Sequence, residues 1–189
     1  MLGIVTSTGG PAALQRVLTD LGPKFSLPVL IVQHIAAGFL EGFVSWLNTV
    51  SPLRVAVAAE GEIPAPGKVY LPPGDTHLCL TQGRLRYDKG EPVSSQRPSG
   101  TVLFRSLAKE IGDRTLAVLL TGMGDDGAEG LKAIRDAGGY TIAEDESTAV
   151  VYGMPAVAVR LGGACESLPL TEIGTRVREL TTEAKEVKR

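Results

Sequence analysis

The sequence predicts a doubly wound α/β domain: a mostly parallel sheet with helices on both faces and a small β-hairpin insertion. Three observations carry this expectation. Residues 3–5, 28–33 and 115–120 are short, continuous apolar runs, the composition of strands buried on both faces of a parallel sheet. Other stretches repeat apolar residues at spacings of three and four, the period of an amphipathic helix. The two textures alternate along the chain, as βαβ units require. A chain of 189 residues is expected to form a single domain over residues 1–189.

Taken in order, residues 3–5 give a first strand. Pro11 opens a helix over residues 11–21, with Leu14, Val17, Leu18 and Leu21 on one face and Gly22-Pro23 as its stop. The strand at 28–33 runs into His34. Phe39, Phe43, Trp46, Leu47 and Val50 then mark a helical stripe, read as core packing, and residues 54–58 another strand. From Gly61 to Gly90 prolines and glycines punctuate three short runs, at 68–71, 77–80 and 84–87. These read as small strands or hairpins appended to the main sheet. Residues 91–100 read as a polar loop, with Arg97-Pro98-Ser99 as a mobile lip. Helical spacing returns with Leu103, Phe104, Leu107 and Ile111. The strand at 115–120 leads into a glycine-rich turn, then a helix over 128–137, a strand over 140–143 and an acidic loop from Glu144 to Thr148. A helix opened by Met154-Pro155, a short strand at 168–170 and a last helix with Thr171 as N-cap complete the pattern. The charged end, Glu183 to Arg189, reads as a solvated face.

Composition narrows the function classes. A formal net charge of −2 gives no basic field for nucleic acid. No apolar run approaches the ~20 residues of a membrane span, and the start has no signal-peptide pattern, so membrane insertion is not expected and a cytoplasmic location is. Cys79 and Cys165 lie in no metal-like spacing and read as small buried or half-buried residues of a reduced protein.

Three reactive residues fall at the ends of predicted strands, where open parallel sheets bind ligands. Ser7 follows the first strand, His34 the second, and Asp125 and Asp126 follow 115–120. Serine, histidine and aspartate are the parts of a nucleophile–base–orienter triad. Backbone N–H groups of Thr8 and Met123, in the two glycine turns, are the candidate oxyanion donors. Competing readings stand beside this one. Ser7 would serve a plain turn or a phosphate cradle. One of the aspartates would cap the following helix, or hold a divalent cation with Glu144, Asp145 and Glu146. His77 reads as structural and Arg97 as a solvated loop residue.

Six blocks together resemble the catalytic domain of the chemotaxis protein-glutamate methylesterases (CheB type). They are Ser7-Thr8-Gly9-Gly10-Pro11; Val32-Gln33-His34 with Gly38-Phe39; Tyr70-Leu71-Pro72-Pro73-Gly74-Asp75 with His77-Leu78; Arg97-Pro98-Ser99 followed by Leu103-Phe104-Arg105-Ser106; Leu120-Thr121-Gly122-Met123-Gly124-Asp125-Asp126-Gly127; and Ala137-Gly138-Gly139 through Asp145-Glu146 to Tyr152-Gly153-Met154-Pro155. The resemblance implies a doubly wound domain with a Ser7, His34, Asp126 triad, and it is the resemblance that chooses Asp126 over Asp125. It implies hydrolysis of glutamate γ-methyl esters on the cytoplasmic helices of methylated chemoreceptors, and deamidation of receptor glutamines through the same acyl intermediate. Arg97 would be a weak substrate contact. No cofactor and no metal are implied. Val5-Thr6 before the serine and Ile35-Ala36-Ala37 after the histidine depart from the family's usual residues and bear on substrate fit.

The family usually carries an N-terminal receiver domain. This chain begins at the first catalytic strand, so the expectation is a free-standing or trimmed form, with a separate regulatory domain or protein as a further partner. The alternative of another class is a catalytically silent receptor-binding module of the same fold in a non-chemotaxis signalling pathway. A metal-dependent hydrolase built on the acidic residues is a third.

Overall fold

The computed structural model describes residues 1–186. Its elements in chain order are β1 (Leu2–Thr6), α1 (Gly10–Leu21), β2 (Val29–Gln33), α2 (Leu40–Val50), β3 (Arg54–Val57), β4 (Lys68–Leu71), β5 (His77–Thr81), β6 (Arg84–Asp88), α3 (Gly100–Ile111), β7 (Leu116–Leu119), α4 (Ala128–Asp136), β8 (Tyr140–Glu144), α5 (Met154–Arg160), β9 (Glu166–Leu168) and α6 (Leu170–Glu186). Seven strands form one sheet in the order β3-β4-β2-β1-β7-β8-β9, every pair parallel. β5 and β6 form a separate antiparallel hairpin.

The strands sort their side chains by the period of two. Leu2 and Ile4, Val29 and Ile31, and Val118 face a core closed by α1, α2 and α6. Val5, Leu30, Val32, Ala117 and Leu119 face a second core, closed by α3, α4, α5 and the hairpin. Both faces are therefore covered, which is why the strands carry so few polar residues. β1 is central: it pairs with β2 on one side and β7 on the other. The chain fills one half of the sheet, then crosses β1 to build the other. This places the ends of β1, β2 and β7 at a topological switch point, the crevice where such sheets bind ligands.

The structure departs from expectation in several places. Residues 68–71 are not part of an appended hairpin. They form β4, inserted between β3 and β2, because Val69, Tyr70 and Leu71 are all buried and need cover on both faces. Of the aromatic stripe, Phe43 and Leu47 are buried, but Phe39 is 70% and Trp46 36% exposed. Phe39 lies in a single 3-10 turn before α2, out of phase with the helix. The last strand is Glu166–Leu168, and α6 begins at Leu170, with the Pro169 carbonyl accepting from Glu172 N–H. Thr171 is thus inside the first turn and is not the cap. Both cysteines are free thiols; Cys165 is exposed, and burial pushes the half-buried Cys79 thiol up to about 11. The expected solvated face at Glu183 to Arg189 falls outside the described side chains. No helix of the described residues is long and apolar enough to cross a membrane.

α3 and α4 cross at Gly130, where an added Cβ would stand 2.7 Å from Phe104 Cβ and 3.0 Å from Thr101 Cα and O. Replacing a helical glycine by alanine normally stabilises by about 1 kcal/mol. Here the contact is with buried side chain and backbone, and overpacking costs about 1–3 kcal/mol. Gly130→Ala is therefore expected to lower the urea midpoint; a raised midpoint would show that the two helices separate freely.

Candidate active site

β1 and β2 run parallel in register, with Thr6 opposite Gln33, so the residues that follow them, Ser7 and His34, emerge side by side. Continuity holds past the strand ends: His34 N–H donates to Thr6 O at 3.1 Å, and Ser7 N–H to Thr121 O at 3.0 Å. On the other side, Gly122 lies against Ser7. A Cβ on Gly122 would sit 2.7 Å from Ser7 Cβ and 2.3 Å from Met154 Sδ, so only glycine lets the β7 turn approach the serine this closely.

The His34 side chain is 8% exposed, and its Nε2 lies 2.7 Å from Asp126 Oδ2. Asp126 is 2% exposed and sits on the N-terminus of α3. Its Oδ1 accepts from Ser99 Oγ at 2.6 Å and Thr101 N–H at 3.0 Å; its Oδ2 also accepts from Gly100 N–H at 2.6 Å. Burial by itself raises a carboxyl pKa. Here the hydrogen bonds from His34, Ser99, Thr101 and Gly100 outweigh it and hold Asp126 below the usual carboxylate value. An ionised carboxylate only accepts, so His34 Nε2 carries the proton of this contact and Nδ1 is the nitrogen left for a second partner. Nδ1 is buried with no protein partner. The Ser7 hydroxyl, half-buried, likewise makes no hydrogen bond to the described residues.

The two turns present N–H groups in fixed directions. Ser7 C=O accepts from Gln33 Nε2 at 3.0 Å and Gly10 N–H at 2.9 Å. In a trans peptide the N–H points opposite the C=O, so Thr8 N–H is turned away from those two donors. Gly122 C=O accepts from Met154 N–H at 2.9 Å, which turns Met123 N–H in the same manner. Among the described residues neither N–H has an acceptor.

The remaining predicted residues have other employment. Asp125 is exposed. Neither aspartate caps the following helix: the N-cap of α4 is Gly127, φ 88°, with no side-chain hydrogen bond. Glu144 is not a loop residue but the buried end of β8, accepting from Thr121 N–H at 2.8 Å and Thr148 Oγ1 at 3.1 Å. Burial raises its pKa. Among the described residues no three ligating side chains gather to hold a metal ion. His77 is 1% exposed; its Nδ1 accepts from Ser99 N–H at 3.0 Å, and its Nε2 lies 3.1 Å from Glu91 O. Arg97 is not a solvated loop residue. Its guanidinium grips both oxygens of Asp75 at 2.9 and 3.0 Å and reaches the carbonyls of Lys89 and Gly90, pinning the loop expected to be a mobile lip. Sequence reasoning missed Gln33, Ser99 and Thr121, which act through partners distant in the chain. Gln33 left one trace: it is the only polar residue of its strand.

The CheB methylesterase family model matches residues 2–177. A protein-glutamate methylesterase/protein-glutamine glutaminase of Paramagnetospirillum magneticum is 53% identical over 180 residues, 95% of this chain and 51% of the relative. The protein-glutamate methylesterase FrzG of Myxococcus xanthus is 44% identical over 95% of this chain and 54% of its own length. The chain thus spans about half the length of the curated relatives it matches. The crystal structure of the Thermotoga maritima CheB methylesterase catalytic domain superposes with a TM-score of 0.90 at 37% identity, covering 95% of this chain and 97% of that one.

Two buried carboxylates with opposite shifts give opposite pH signatures. The stability that ionised Asp126 contributes is present above about pH 4 and lost as pH falls through its lowered native value. Asp126→Asn is expected to flatten the acid limb of the urea midpoint against pH. Glu144 is favoured in its neutral form, so its contribution is full below about pH 4 and lost as pH rises through its raised native value. Glu144→Gln is expected to match the parent protein at pH 4 and exceed its midpoint at pH 8; a lower midpoint at pH 8 would overturn this.

Proposed function

The chain belongs to the CheB methylesterase family, and from that premise we propose that it is a serine esterase that hydrolyses glutamate γ-methyl esters on cytoplasmic helices of methylated chemoreceptors. The observation that carries the reading is the buried 2.7 Å contact between His34 Nε2 and Asp126 Oδ2, with His34 Nδ1 unpartnered beside the strand end that bears Ser7.

In this mechanism the Ser7 oxygen attacks the ester carbonyl and His34 Nδ1 takes the hydroxyl proton. Asp126 holds the ring by Nε2 and stabilises the imidazolium. Thr8 and Met123 N–H donate to the oxyanion, each worth about 3–4 kcal/mol in the transition state. Collapse breaks the bond to the methoxy group, which leaves as methanol with the proton from His34. Water then attacks the acyl-enzyme and gives its proton to His34; collapse breaks the bond to Ser7 Oγ, which takes that proton back from His34 as the glutamate is released. A glutamine side chain enters the same path with ammonia as leaving group, so deamidation needs no further residues. The proposed setting is the cytoplasm, with the methylated receptor as partner and a separate regulatory segment or protein as the source of control. Arg97, held by Asp75 and two carbonyls, keeps the loop in place, and its proposed role is a weak substrate contact.

Two measurements test this. Ser7→Ala is expected to abolish methanol release from methylated receptor membranes, and Asp126→Asn to lower it by on the order of 10³–10⁴-fold. A serine-directed phosphonate is expected to label Ser7 in the parent protein. Equal methanol release by Ser7→Ala would sink the mechanism, and absence of both activity and label would favour a silent binding module.

A further inference from the structure

Gln33 is 4% exposed at the end of β2, in a strand otherwise filled by valine, leucine and isoleucine. Its Nε2 donates to two carbonyls at once: Ser7 O at 3.0 Å and His34 O at 2.9 Å. The first belongs to the peptide whose other end is Thr8 N–H; the second closes the residue that bears the imidazole. One amide group therefore sets where the oxyanion donor and the base stand relative to each other. The amide cannot be turned over, because its oxygen would then face two carbonyl oxygens. In the observed orientation Oε1 is buried without a partner. Burying an unpaired acceptor costs free energy, so packing alone does not account for a glutamine here.

Gly10 completes the arrangement. An added Cβ would stand 2.0 Å from Gln33 Oε1 and 2.7 Å from Thr6 Oγ1, although Gly10 has no positive φ to require glycine. The missing side chain is the space that Gln33 occupies.

We infer that Gln33 is a positioning residue for the esterase reaction: its side-chain amide locks the Ser7–Thr8 peptide to the His34 peptide and so aims the Thr8 N–H at the developing oxyanion, with Gly10 keeping the room for it. This rests on the proposed Ser7 mechanism. A donor displaced by about 1 Å costs on the order of 10²-fold in rate.

The test compares Gln33→Met and Gln33→Leu, neither of which carries a hydrogen-bond donor, with Gly10→Ala, which displaces the amide by contact. Leu47→Ala, in α2 and remote from the site, serves as a control destabilised by packing alone. For each, kcat and KM on methylated receptor membranes are measured, with the rate of Ser7 phosphonylation and the urea midpoint. The Gln33 variants and Gly10→Ala are expected to lose 10- to 100-fold in kcat and in phosphonylation, with KM within threefold and Leu47→Ala at the parent kcat. Should Gln33→Met fail to fold, Gln33→Leu and Gly10→Ala carry the same comparison. A parent-like kcat in the Gln33 variants, or a loss confined to KM, would overturn the assignment. If Ser7→Ala is inactive while these variants are fully active, the positioning role alone fails; if Ser7→Ala is active, the underlying mechanism fails.

Discussion

A carboxylate that is 2% exposed must find enough donors within the protein to replace the water it has lost, and Asp126 finds four. Three come from the start of α3, where free N–H groups and the helix dipole favour negative charge. The fourth is His34. The ring's position is consequently not a property of β2 alone. It is fixed from behind by a helix that begins some 65 residues later, after the chain has left the sheet, made the hairpin and returned.

This gives the hairpin insertion a structural reason. Leu78, Leu80 and Leu85 close the second core, and Leu80 N–H donates to Ser106 Oγ in α3 at 3.0 Å. His77, the first residue of β5, accepts the N–H of Ser99, the residue that caps α3 and donates its hydroxyl to Asp126. The Arg97–Asp75 pair ties together the two segments that flank the hairpin. The insertion is a bracket that holds the helix start against the carboxyl ends of the central strands.

The parts of the architecture that the sequence displays are those with local causes. Two-faced burial makes β7 apolar throughout and β1 and β2 apolar up to their last residues, and α1 and α3 carry the helical period in full view. β4 escaped because its Val69-Tyr70-Leu71 run is hemmed by the same prolines and glycines as the hairpin, and its parallel partners lie far along the chain. The site divides along the same line. Ser7 and His34 are visible as reactive residues at strand ends. Asp125 and Asp126 are equivalent by spacing; the approach of α3 distinguishes them, and no local pattern records that approach. Gln33, Ser99 and Thr121 are hidden for the same reason, since each is defined by a partner on another element.

The hydrogen bond from Thr6 Oγ1 to Thr121 O joins residues 115 positions apart, beside the parallel pairing of β1 with β7. Parallel strands have no tight turn to bring them together, and closing so long a loop makes their contact a late event in folding. During synthesis Ser7 emerges well before the turn against which it packs and the carboxylate behind its histidine, which follow most of the sheet. A nascent chain therefore carries the serine without those neighbours until β7 has joined β1.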